Sequence, residues 1–126
     1  MMNPFALLLL AFLAITFLQS GLDKILDWNG NVGWLKGHFS QTLLKNHVPA
    51  ALLIVLALEI VAGVLAVMGI IENISNHSTQ LGDYACMVSC ITLLFLLFGQ
   101  RLAKDYDGAR TIVIYFIPAL LGVYWL

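Results

Sequence analysis

At 126 residues, with 61% hydrophobic and only 10% charged residues and a mean hydropathy of +0.94, the chain has the composition of an integral membrane protein with room for about four spans. No soluble catalytic domain fits beside such spans. A formal charge of −1 without any basic cluster excludes nucleic acid as a partner. Residues 1–126 therefore read as a single integral membrane domain.

Residues 4–22 form the first apolar run, with Pro4 tolerated in the opening turn and Thr16, Gln19 and Ser20 as its polar interruptions. A cleaved signal peptide is the competing reading. It is disfavoured because no Lys or Arg precedes the run and Leu18-Gln19-Ser20 is a poor cleavage site. Gly21 to Trp28 carries the chain out of the membrane, and Asn29-Gly30-Asn31 supplies turn residues. Over residues 32–44, Leu35, Phe39 and Leu43 recur at helical spacing, with Lys36, Ser40 and Lys45 elsewhere on the wheel. The pattern predicts a short amphipathic helix in the membrane interface, with Trp28 and Trp34 at headgroup level, or the same helix folded down as a lid.

Residues 48–71 (VPAALLIVLALEIVAGVLAVMGII) are apolar except for Glu59 near the centre. At about 1.5 Å per residue the run reaches roughly 36 Å, enough to cross a hydrocarbon core of about 30 Å. Counting from Pro49 puts Glu59 roughly 15 Å into the span, near the midplane. A lone carboxylate there costs at least about 2.5 kcal/mol, so Glu59 must be protonated, paired or facing a polar cavity. Residues 72–82 (ENISNHSTQLG) read as a polar loop, and the Asn-x-Ser triplets at Asn73 and Asn76 are what polar loops produce by chance. A third span is expected at 83–102 and a fourth at 109–126, joined through an Asp107-Gly108 turn. The expected fold class is all-α: a four-helix transmembrane bundle with a short interfacial amphipathic helix between helices one and two.

Lys24, Lys36 and Lys45 fall between spans one and two, and Arg101, Lys104 and Arg110 flank the connection between spans three and four. The positive-inside rule makes those loops cytoplasmic and puts both termini on the opposite, periplasmic side. Depth counting places Leu13, Thr92 and Pro118 level with Glu59, with Thr16, Ser89 and Tyr115 within about one turn. Thr92 offers a hydroxyl, and Pro118 leaves the carbonyl of Ile114 without its helical donor. A polar pocket around Glu59, with Thr92 and Tyr115 as ligand-binding residues, is one expectation. Hydrogen bonding that merely holds helices together is the other.

Gly21-Leu22-Asp23-Lys24 at the end of the first span, the amphipathic segment, and Glu59-x-x-x-Gly63 with Gly69 in the second span resemble the DoxX family. The likeness runs over nearly the whole chain. It implies a multi-pass protein of the bacterial inner membrane. Relatives include subunits of a thiosulfate:quinone oxidoreductase and proteins associated with sulfur-transfer and superoxide-detoxifying enzymes, while most have no assigned reaction. On this resemblance Lys24 and Glu59 are the positions carried over, Glu59 as proton carrier. A quinone becomes the implied cofactor, with nothing bound covalently. Membrane lipid and further protein subunits are the implied partners.

Cys86 and Cys90 share one helix face, a poor geometry for a disulfide, and read as packing thiols. His38, His47 and His77 fall in predicted loops, so none suits an axial haem ligand. No zinc spacing, phosphate loop or nucleophile-base arrangement is present. Arg101 and Lys104 suit a helix C-terminus, and Arg101 is a candidate for an anion site, for contact with anionic lipid or for an ion pair with Asp23 or Asp27. Two functions stay open: a subunit of a quinone-linked oxidoreductase complex, and a non-catalytic structural or assembly subunit of a larger membrane complex.

Overall fold

Asn3 and Pro4 start the first helix of a computed structural model that describes residues 3–42 and 46–126: the Asn3 side chain accepts from Ala6 N at 3.3 Å, and Pro4 occupies the first turn, where no donor is needed. Helix α1 (Pro4–Leu26) continues four residues past the expected end at 22 and stops at Asp27, whose backbone leaves the helical region at φ −136°, ψ 55°. Asn31 Nδ2 then donates to the carbonyls of Asp27 at 2.7 Å and Asp23 at 3.3 Å, satisfying acceptors that the helix end leaves free. Because Asn31 is used this way, Asn29-Gly30-Asn31 is not a turn but the first turn of α2 (Trp28–His38). That helix starts four residues before the expected 32 and ends at His38. Leu43, Leu44 and Lys45, the far end of the predicted amphipathic pattern, lie outside the described residues.

The longest helix, α3 (Val48–Asn76), overruns the predicted limit of 71 by five residues. The polar stretch read as loop is helical because its side chains serve other elements. Glu72 Oε1 accepts from Leu81 N at 3.0 Å, near the start of the next helix. Asn73, 1% exposed, accepts from Asn3 N at 3.1 Å and donates to Ser78 O at 3.4 Å, so this triplet asparagine is buried in contacts rather than displayed. His77 closes the helix in the left-handed region at φ 55°. Helix α4 (Gln80–Leu102) begins three residues before the expected 83. Lys104, at φ 59°, turns the chain, and Asp105 Oδ1 caps α5 (Tyr106–Trp125) by accepting from Gly108 N at 2.9 Å. Asp107-Gly108 is thus the first turn of α5 rather than a loop.

Helices α1, α3, α4 and α5 are each long and apolar enough to span a membrane, and no strand occurs among the described residues. The bundle packs large residues of α1 against small residues of the other helices: Leu10, Leu13 and Phe17 are buried with Ala62, Ala66, Ala85, Cys86 and Ala119. A Cβ added at Gly69 would lie 2.8 Å from the Cα of Gly82, so α3 and α4 meet backbone to backbone there. Leu8, Ile15, Leu53, Val61, Leu94, Phe98, Ile117 and Leu120 point outward, the surface expected of spans facing lipid.

The antiparallel order sorts the polar groups to two ends. Asn3, Asn73, Ser78, Thr79 and the carbonyl of Leu126 meet at one end, where Thr79 Oγ1 donates to Leu126 O at 3.2 Å. Lys24, Lys36, Arg101, Lys104 and Arg110 all belong to the opposite end, formed by the close of α1, by α2, and by the α4–α5 connection.

Candidate functional site: a buried ion pair between the first and third helices

Glu59 is buried to 1% exposure on the face of α3 that carries Ala62, Gly63 and Ala66. These small residues let α1 come close: a Cβ at Gly63 would lie 2.6 Å from Leu18 Cγ and 3.3 Å from its backbone nitrogen. One turn along α1, Gly21 provides the reciprocal gap, a Cβ there lying 2.7 Å from Ile60 Cδ1. Locked in this register, the last turn of α1 hangs Lys24 over the acid, with Nζ 2.7 Å from Glu59 Oε1.

The pair is asymmetric. The Lys24 side chain keeps 16% exposure against 2% for that of Glu59, so the ammonium hangs from the helix end and reaches inward to a carboxylate that cannot reach out. Lys24 Nζ also donates to Ser20 Oγ at 2.8 Å and approaches Ser20 O at 3.5 Å. The one ammonium is thus the counter-charge of Oε1 and the donor to the Ser20 hydroxyl. Of the states open to a buried acid, Glu59 therefore adopts pairing.

This overturns the expected neighbourhood of Glu59. It is level with Gly21 to Lys24, not with Leu13, because both helices run on past the points where polarity changes. Asn3 meets Asn73 at the far end, so Glu59 lies fourteen residues, roughly 21 Å, from that end. With about 30 Å of hydrocarbon to cross, the acid is displaced from the midplane toward the end where α1 terminates.

The other expected site residues do not converge on the pair. The contact of Gly69 with Gly82 carries Glu59 to the level of Thr92, ten residues further along α4, and Thr92 is fully buried. Its hydroxyl donates back to Val88 O at 2.8 Å, as Ser89 Oγ donates to Ala85 O at 2.7 Å. Such bonds satisfy both hydroxyls within α4. The Tyr115 ring packs against Phe12, centroids 6.1 Å apart. Arg101 forms no ion pair with Asp23 or Asp27, and its guanidinium carbon instead lies 5.2 Å from the centroid of the Tyr106 ring. Cys86 and Cys90 are buried free thiols, and Cys86 closes against Gly122 of α5. No group of three metal-binding side chains occurs among the described residues.

A second polar cluster was not foreseen. His38, expected in a loop, ends α2 and puts Nε2 3.0 Å from Gln100 Oε1 and 3.6 Å from Asp105 Oδ2. Trp34 stacks on its ring at 4.6 Å, and Phe39 lies over Gly99. The end of α2 is thereby fastened to the α4–α5 connection. A polar Gln100 and Asp105 facing a His more than sixty residues earlier carry no local pattern, so nothing in the sequence marked the contact.

No curated protein and no solved structure matches the chain. The DoxX family model matches residues 5–77, which hold α2, α3 and nearly all of α1, with both members of the ion pair, and leave α4 and α5 outside. That match covers more than half of the sequence, and the chain belongs to the DoxX family.

Proposed function

We propose that the protein is an inner-membrane subunit of a quinone-linked oxidoreductase complex, of the thiosulfate, sulfur or oxidative-stress type, in which the Lys24–Glu59 pair holds and passes a proton beside a lipophilic ligand. The observation that carries this reading is the pair itself, a carboxylate at 1% exposure held 2.7 Å from an ammonium inside an otherwise apolar bundle. A buried ion pair contributes little net stability, since apolar residues of the same volume serve as well or better. An ionisable pair at depth in a membrane is therefore a functional feature by default.

The decisive variant is the double substitution Lys24→Gln, Glu59→Gln, which keeps size and hydrogen-bonding capacity while removing both charges. In the complex purified in mild detergent, partner association and melting should stay close to wild type, while quinone-linked turnover should fall at least about a hundredfold, as expected when a proton carrier is lost. Full turnover in that variant would leave the pair as a clasp between α1 and α3. That is the second reading, a structural or assembly subunit, and the closure of the Thr92 and Ser89 hydroxyls onto their own helix favours it.

The clustering of the five described cations at one end supports a topology with that end cytoplasmic and both termini periplasmic. In a background with Cys86 and Cys90 replaced by Ala, Ser40→Cys should be shielded from an impermeant thiol reagent in intact cells and Ser78→Cys labelled. The reverse pattern would invert the orientation.

A further inference from the structure

The α4–α5 connection holds a feature that the ion pair does not use. An open groove of about 440 Å³ lies between the last turns of α4 and the first turns of α5, lined by Leu97, Arg101, Tyr106, Ala109, Arg110 and Val113. Its floor is apolar, and its rim carries two guanidinium groups. Arg110 is already paired with Asp107, and Asp105 with His38. Arg101 has neither hydrogen bond nor ion pair among the described residues and is held over the Tyr106 ring at 5.2 Å. A cation held against an aromatic face keeps the N–H edge of its guanidinium free. The groove also continues into the lipid-facing surface, since Val113 of its lining and neighbouring Leu94 and Phe98 are exposed.

We propose that this groove binds an anionic glycerophospholipid of the surrounding membrane. Its phosphate accepts from the Arg101 guanidinium, and its glycerol and upper acyl segment lie on Leu97, Ala109 and Val113. Three features select that occupant. The free planar donors match two phosphate oxygens at once, which a point charge cannot do. The apolar floor gives nothing to a hydrated free anion but buries the hydrocarbon of a lipid. Arg101 stands in the last turn of a spanning helix, at the level where headgroups lie. The reading does not depend on any redox role for the pair.

Native mass spectrometry of the full chain, released from nanodiscs of equal dioleoylphosphatidylglycerol and dioleoylphosphatidylcholine, tests it. The wild type should retain phosphatidylglycerol selectively, and Arg101→Gln should lower that retention about tenfold, the loss expected for one charge-assisted contact. Lys104→Gln removes a charge at the same end but outside the groove, and should change nothing. Val113→Trp fills the groove with every charge in place and should abolish selectivity. Circular dichroism of each variant establishes that the bundle is intact. Equal retention of the two lipids, a loss in Lys104→Gln as large as in Arg101→Gln, or undiminished retention in Val113→Trp would each overturn the proposal. So would displacement of the lipid by inorganic phosphate or by decylubiquinone at equimolar concentration.

Discussion

The two ends of the bundle are closed by different chemistry. At the end that gathers Asn3, Asn73 and Leu126, side chains bond to backbone groups: Asn73 ties Asn3 to Ser78, Glu72 caps the start of α4, and Thr79 holds the last carbonyl. At the other end ionisable side chains meet one another, Lys24 on Glu59 and His38 beside Asp105. Hydrogen bonds to backbone are directional and specific, and the backbone member of each cannot change its protonation state. Charged contacts cost desolvation when they form and can gain or lose a proton. The two ends are thus distinguishable by the type of partner each side chain takes, backbone groups at one and ionisable side chains at the other.

Breaking the charged end at its deepest point should have the largest effect. Glu59→Leu leaves the Lys24 ammonium with Ser20 as its hydrogen-bond partner and no counter-charge, and removal of one member of a buried pair costs about 3 to 5 kcal/mol. The lower end of that range is expected, because the Lys24 side chain retains 16% exposure and can withdraw toward the helix end. Lys24→Met combined with Glu59→Leu should recover most of the loss. Melting in detergent, read as a double-mutant cycle, measures the coupling. If Glu59→Leu melts with the wild type, the pair does not hold α1 to α3.

At the backbone-bonded end, Asn73→Leu removes an acceptor from Asn3 N and a donor to Ser78 O together, at about 2 kcal/mol. The loss should fall on the start of α1 and the α3–α4 turn. Hydrogen exchange should quicken at those residues and stay unchanged around Lys24. Exchange that quickens equally at both ends would mean that the ends are not independent.

The spans were legible because an apolar run of membrane length admits few alternatives, and four such runs in 126 residues leave little but a bundle. Their ends were not, for one physical cause. Polarity marks where a chain can meet water, not where a helix stops. Lys24 remains in α1, and Glu72 and Asn73 remain in α3, with partners from other segments to satisfy them. Beside Glu59 the register lies eleven residues, about three turns on α1, from the count that let the midpoints of the apolar runs coincide, so Leu13 was expected there and Lys24 was found. That Glu59 had to be protonated, paired or set against a polar cavity followed from its place in an apolar span. Which partner it took depended on helix ends that local sequence does not encode, and only the family resemblance singled out Lys24.

The smallest predicted effect concerns the fastening of α2. His38 binds Gln100 at 3.0 Å, lies 3.6 Å from Asp105 and stacks on Trp34, yet no residue of α2 is buried. An exposed helix of eleven residues is too short to persist in water on its own propensity, so its order depends on these few contacts. His38→Ala should cost about 1 kcal/mol, confined to α2 and the α4–α5 connection, with the melting of the four spans unchanged. Hydrogen exchange at Gly33 to Gly37 should rise severalfold while exchange at Glu59 and Ala62 stays slow. The Phe39 contact over Gly99 remains in that variant, so α2 should loosen rather than depart. If the variant instead destabilises the spans as much as Glu59→Leu does, the helix is an integral wall of the charged end and not a cover laid across it.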